Sequence, residues 1–198
     1  AWEKLLLMYY DLHEFKKLMI KGEECATKFN RSFLAKILYA QGAIENKAFL
    51  IALEELRKAD ILAGDKKEMK IQVLTMKADI YYRMKDYEKA FETFEEALKT
   101  NSEDLTVMNN YAYYLSLDGQ NLERAKELSE RSLKIQPENS SFLDTYAWIL
   151  YRLGDYENAL LHIEKALNFG GNSNAVIVDH YADILYKTGR KDEAVKFW

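Results

Sequence analysis

The sequence predicts an all-α fold, an α-solenoid of antiparallel helical hairpins, and three observations predict it. First, apolar and small residues recur at three- and four-residue spacing through residues 143–167, on both sides of a break at Leu153-Gly154-Asp155. This is the pattern of two short amphipathic helices folded back on each other. Second, the pattern recurs: taking Ala147 as the small residue of the first helix, its equivalents are Leu6, Ala40, Ala78, Ala112 and Ala182, spaced by 34 to 38 residues. Third, the chain is 48% hydrophobic and 13% aromatic with one Pro and 8 Gly, ample for a continuous core and poor in flexible linkers. One such hairpin cannot bury its outer faces alone, and repetition lets neighbours cover them.

Taken in order, the first unit (1–30) opens with Trp2, Leu5 and Tyr9 on its first helix. Leu6 and Leu18 stand where small residues are usual and Gly22 interrupts the second helix, so the loosest packing is expected here. Cys25 takes a small buried position; as the only Cys it excludes an internal disulfide framework. The second unit (31–68) carries Tyr39, Ala40, Phe49, Ala52, Leu56 and Ala59. Four extra residues follow, so Asp60-Ile61-Leu62-Ala63 should extend the helix by about a turn until Gly64 stops it, with a local kink.

The third unit (69–104) carries Leu74, Ala78, Tyr81, Tyr87, Ala90, Phe94, Ala97 and Leu98. In the fourth (105–139), Tyr111 precedes Ala112, and Ala125 comes one residue late because Gly119-Gln120-Asn121 holds an extra residue. The fifth (140–174) pairs Ala147 with Ala159, and the sixth (175–198) pairs Ala182 with Ala194 and is incomplete. Residues 101–104 and 137–140 offer N-cap side chains, and Gly170-Gly171-Asn172 frees the backbone between units. One continuous array is expected, cut at both ends, so that any targeting segment or further domain would lie outside it.

A helix–turn–helix unit near 34 residues with these residues in place resembles the tetratricopeptide repeat family, and the resemblance covers essentially the whole chain. Pro137 sits where that family often closes a unit, and residues 109–167 look similar to later repeats of tetratricopeptide proteins of bacterial cell envelopes. The resemblance implies a right-handed superhelix whose first helices line a concave groove, and a non-catalytic scaffold that binds a peptide segment or partner protein there. Groove positions lie three before and one, four and five after the small residue of each first helix. Carried onto this sequence they are Thr75, Asp79, Tyr82 and Arg83; Asn109, Tyr113 and Ser116, with Asn110 beside them; Asp144, Trp148, Tyr151 and Arg152; and Asp179, Asp183, Tyr186 and Lys187.

Such a groove of rings, amides and carboxylates suits an extended peptide, with rings burying side chains and amides bonding backbone. Its Asp content favours a basic or neutral ligand over an acidic one. Tyr82, Tyr151 and Tyr186 also occupy a position where the family keeps an aromatic for packing. Trp148, a large indole on a polar face, reads as the leading ligand contact. Two rival readings stand beside this one: a self-associating spacer, and the regulatory part of a larger enzyme or envelope-assembly protein.

Chemistry finds little support. The net charge of −4 offers no basic field for a phosphate backbone, and no apolar run approaches the roughly 18 residues of a membrane span. The three His are scattered, no Gly-rich loop takes phosphate-binding form, and no Cys or His spacing suits zinc. Asp179, His180 and Asp183 are the one cluster to weigh for a metal, and too few ligands converge there, so a solvated polar face is expected. No cofactor, metal or catalytic residue is expected.

Overall fold

The computed structural model describes residues 1–119 and 121–198. Among the described residues there are twelve α-helices, one short 3₁₀ turn and no strand. The chain divides into two compact units, Ala1–Ser102 and Glu103–Trp198.

Unit 1 holds α1 (Trp2–Asp11), α2 (Phe15–Lys28), α3 (Phe33–Glu45), α4 (Phe49–Ala63), α5 (Lys67–Arg83) and α6 (Tyr87–Thr100). Unit 2 holds α7 (Leu105–Asp118), α8 (Leu122–Ile135), α9 (Ser140–Leu153), α10 (Tyr156–Asn168), the 3₁₀ turn Gly171–Ser173, α11 (Ala175–Lys187) and α12 (Lys191–Ala194). Successive helices pair as hairpins, as the repeat predicts. The small residues set the register: Ala40, Ala52, Ala78, Ala90, Ala112, Ala125, Ala147, Ala159, Ala182 and Ala194 are all fully buried at helix crossings, and so are Leu6 and Leu18. Cys25 is buried with Leu6, Leu18 and Tyr39 in the core of the first two hairpins, in the packing role expected of it; burial, then Glu3, pushes its thiol above the usual range.

Local chemistry sets the helix ends. Ser32, Asp104, Asn139 and Asn174 each accept a backbone N–H of the first turn that follows, meeting donors a helix start leaves unpaired. At the tip of each hairpin, the seventh residue after the small residue has positive φ: His13, Lys47, Lys85, Gly119, Gly154 and Gly189. In five of the six, the next residue then bonds five back, as Asp155 N does to Leu150 O at 2.9 Å, closing a Schellman turn. The remaining tip contains the extra residue expected at Gly119-Gln120-Asn121, where Gln120 lies outside the described residues. α4 runs through Ala63 to a positive-φ Gly64, as the extra turn requires.

The first hairpin departs from expectation. Gly22 does not interrupt α2, which is continuous, and the packing there is not loose. A Cβ on Gly22 would lie 2.9 Å from the Tyr39 Cα, and one on Gly42 would lie 2.7 Å from the Met19 nitrogen. The two glycines let α2 and α3 touch backbone to backbone, so α2 packs on α3 as extensively as hairpin partners pack on each other.

Candidate functional site

In unit 2 the first helices α7 and α9 pack side by side, as do α9 and α11. Asp144 and Trp148 are four residues apart on α9 and share a face. His180 of α11 reaches both. Its Nδ1 lies 2.8 Å from Asp144 Oδ1, and its ring stacks on the Trp148 indole, centroids 4.1 Å apart and planes within 15°. The indole stacks in turn on Tyr151 at 4.7 Å and 13°, and Tyr151 meets Tyr156, the first residue of α10, at 5.5 Å. Tyr113 of α7 comes to 6.3 Å from the imidazole. Burial, then the Asp144 carboxylate, pushes its phenol upward.

Asp144 and His180 are each only 6% exposed, so this is a buried polar pair inside a ladder of rings. Two further polar atoms of the same helices are buried with no hydrogen-bond partner among the described residues: Asn109 Oδ1 on α7 and Trp148 Nε1 on α9. Most buried polar atoms are paired, because an unpaired one keeps its desolvation cost. Asn110 is half-buried beside Asn109. On α11, Asp179 is exposed and Asp183 half-buried. Burial and then Asp179 raise the Asp183 carboxyl, with His180, a hydrogen bond from Trp198 and Lys187 opposing. Asp183 in turn helps burial push the Tyr151 phenol upward.

Other nominated residues are committed elsewhere. Ser116 is fully buried and donates to Tyr113 O at 2.6 Å. Arg152 donates to the carbonyls of Ser116 and Leu117 at the end of α7, where a cation meets the negative end of the helix. Tyr186 lies 5.7 Å from Trp198 and carries the Lys191 ammonium over its ring at 5.2 Å. In unit 1, Thr75 donates to Ile71 O on its own helix. Asp79 holds Arg83 at 3.0 Å, and Arg83 also lies 3.6 Å from Glu45 of α3. Tyr82 packs on Tyr87 and Phe91 of α6, the packing role that its position allows.

Sequence reasoning missed two polar clusters. Asp179 is solvated as expected, whereas His180 is buried in the ladder. The signal available was its place two residues before Ala182, next to the groove position on the adjoining hairpin. The second cluster is in unit 1: Lys36 and Glu55, 5% and 6% exposed, lie 3.4 Å apart. Lys36 also donates to Ala26 O at the end of α2 at 2.8 Å, and Lys58 holds the other oxygen of Glu55 at 2.7 Å. No group of three His, Cys, Asp or Glu among the described residues is placed to hold a metal. No described helix is long and apolar enough to cross a membrane.

With this geometry in view, comparison places the chain. The tetratricopeptide repeat family model matches residues 4–197, and the chain belongs to that family. A tetratricopeptide repeat protein from Parabacteroides merdae superposes with a TM-score of 0.78 at 15% identity, over 99% of this chain and 74% of that one. A thermophilic family member from Thermus thermophilus gives 0.78 at 17% identity, over 93% and 97%, and PilF of Pseudomonas aeruginosa gives 0.72 at 23%, over 100% and 87%. These likenesses show the fold. No curated protein matches in sequence.

Proposed function

We propose that the chain is a non-catalytic interaction scaffold and that the first-helix face of unit 2 binds an extended segment of a partner protein. One observation carries the reading: Asn109 Oδ1 and Trp148 Nε1, an acceptor and a donor on adjacent first helices, are buried without partners. A peptide backbone presents the matching N–H and C=O groups. Asn110 and Tyr113 extend the same face. Trp148 serves through its polar edge, since His180 and Tyr151 stack on its ring.

The test is affinity capture with this chain, followed by titration calorimetry of the captured segment against variants. Trp148→Phe deletes the N–H and keeps a ring in the stack; Asn109→Ala deletes the acceptor. Each should weaken binding by about 1 kcal/mol, the worth of a neutral hydrogen bond. Unchanged affinity in both would move the interface to another face. A serving role also predicts that Asn109→Ala does not weaken the ligand-free fold, because the atom removed is unpaired there.

A further inference from the structure

A pocket of about 570 Å³ opens in unit 1 where α2, α3 and α4 meet, with Glu23, Tyr39 and Glu55 in its lining. Its two cations are already engaged. Lys36 donates to Ala26 O at 2.8 Å and pairs with Glu55 Oε2 at 3.4 Å; Lys58 holds Glu55 Oε1 at 2.7 Å and approaches Glu54 at 3.7 Å. Its acceptors are not. Glu55 is more than nine-tenths buried, yet its Oε2 has no hydrogen-bond partner, the Lys36 contact lacking hydrogen-bond geometry. Glu23 is exposed and has no ion pair among the described residues. Burial, then Glu23, then Glu55 push the Tyr39 phenol upward against Lys58, as two carboxylates facing one hydroxyl would.

Unit 2 shows the same residues closed. Glu130 stands five after Ala125 and Tyr146 just before Ala147, as Glu23 stands five after Leu18 and Tyr39 just before Ala40. Tyr146 donates to Glu130 at 3.0 Å, and His162, which stands three after Ala159 as Glu55 does after Ala52, meets the Tyr146 ring edge to face at 4.9 Å. In unit 1 the tyrosine and the glutamate recur, the hydroxyl makes no such bond among the described residues, and a pocket lies there instead.

We propose that this pocket is a second binding site, taking one primary ammonium group on a short alkyl stem, with Glu23, the Tyr39 hydroxyl and Glu55 Oε2 as acceptors and Ile61 and Leu62 beside the stem. An ammonium brings only donors and one positive charge, and the charged groups left without a full set of partners here are carboxylates. One oxygen of Glu55 is already taken by Lys58, which denies a guanidinium its two-pronged dock and suits the single N–H of an ammonium. A free alkylamine and a lysine side chain share this chemistry. The site stands on unit 1 alone, so its failure leaves the unit 2 binding face untouched.

The experiment is a nuclear magnetic resonance titration of the ¹⁵N-labelled chain at pH 7 with n-butylammonium, its neutral counterpart 1-butanol, n-butylguanidinium, and lysine blocked at both ends. The ammonium should bind roughly tenfold more tightly than the alcohol, the scale of one charge-assisted hydrogen bond, and shift amides of Glu23, Tyr39 and Glu55. Glu23→Gln, at an exposed position, should remove most of that preference, and Tyr39→Phe should weaken the ammonium about fivefold, with the alcohol unchanged in both. Blocked lysine binding more tightly than butylammonium assigns the site to a protein side chain, and the reverse order to a free amine; either order supports it. Alcohol binding as tight as ammonium binding overturns the site, as does a preference that survives Glu23→Gln. Tighter binding of the guanidinium overturns the assignment to an ammonium. Amides that stay still with both amines at high millimolar concentration also overturn the site, and the pocket then holds water only.

Discussion

The two units use the same hairpin and differ in what they do with its polar positions. On α5 the residues one and five after the small residue are Asp79 and Arg83, which pair with each other, and Arg83 also approaches Glu45 of the neighbouring hairpin. On α9 the same two positions are Trp148 and Arg152. No such pair can form, so the indole turns to His180 and the guanidinium to the end of α7. Unit 1 thus satisfies its face internally, while unit 2 keeps Asn109 Oδ1 and Trp148 Nε1 unpaired. In a repeat protein, register says where a side chain stands; whether it is available depends on the residue opposite.

The units also differ in how closely their hairpins approach and how they turn. Gly22 and Gly42 bring α2 and α3 into backbone contact, whereas α9 and α11 are separated by the Asp144–His180 pair and its rings. The hairpin tips of unit 1 place His13, Lys47 and Lys85 in the left-handed region, a conformation that unit 2 gives to Gly119, Gly154 and Gly189. Unit 1 therefore carries strain at its tips that unit 2 avoids.

The largest expected effect tests the buried pair. His180→Ala leaves Asp144 buried without its partner and should destabilise unit 2 by about 3 kcal/mol, read by denaturant titration; a loss below 1 kcal/mol would show the pair to be ornamental. Next, Gly42→Ala drives a methyl into the Met19 backbone, and overpacking of this kind costs about 2–3 kcal/mol. Hydrogen exchange should then show unit 1 opening first, and wild-type protection there would dissolve the contrast in packing.

The tips give a smaller, signed pair: Lys85→Gly should stabilise by about 0.5–1 kcal/mol and Gly154→Lys should destabilise by about 1 kcal/mol. Melting temperatures that move the same way in both would remove the difference in strain. Smallest is Asp183→Asn, which relieves a like-charge neighbour at four residues and should add about 0.2–0.5 kcal/mol at neutral pH. The sign follows from the raised carboxyl. The folded state binds this proton more readily than the unfolded chain, so the Asp183 contribution favours folding below its raised value and is lost as pH climbs above it. The gain from Asp183→Asn should shrink as pH falls towards the ordinary 3.8, and a gain that grows on acidification would refute this assignment.

Helix content, hairpin pairing and register were legible in the sequence because they rest on local rules. Three- and four-residue spacing sets the buried stripe, a fully buried Ala marks each crossing from Ala40 onward, and short polar residues such as Asp104 and Asn139 stop the chain where a cap is needed. The repeat interval carried those rules from one hairpin to the next. Tertiary structure alone decided which polar residues have partners. Nothing local couples Asp144 to His180 or Arg152 to the carbonyls of Ser116 and Leu117, residues more than thirty positions apart. Gly22 looked like a helix breaker from propensity and proved to be a contact point, because the loss of helix preference at one residue is about 1 kcal/mol and close packing of two helices outweighs it.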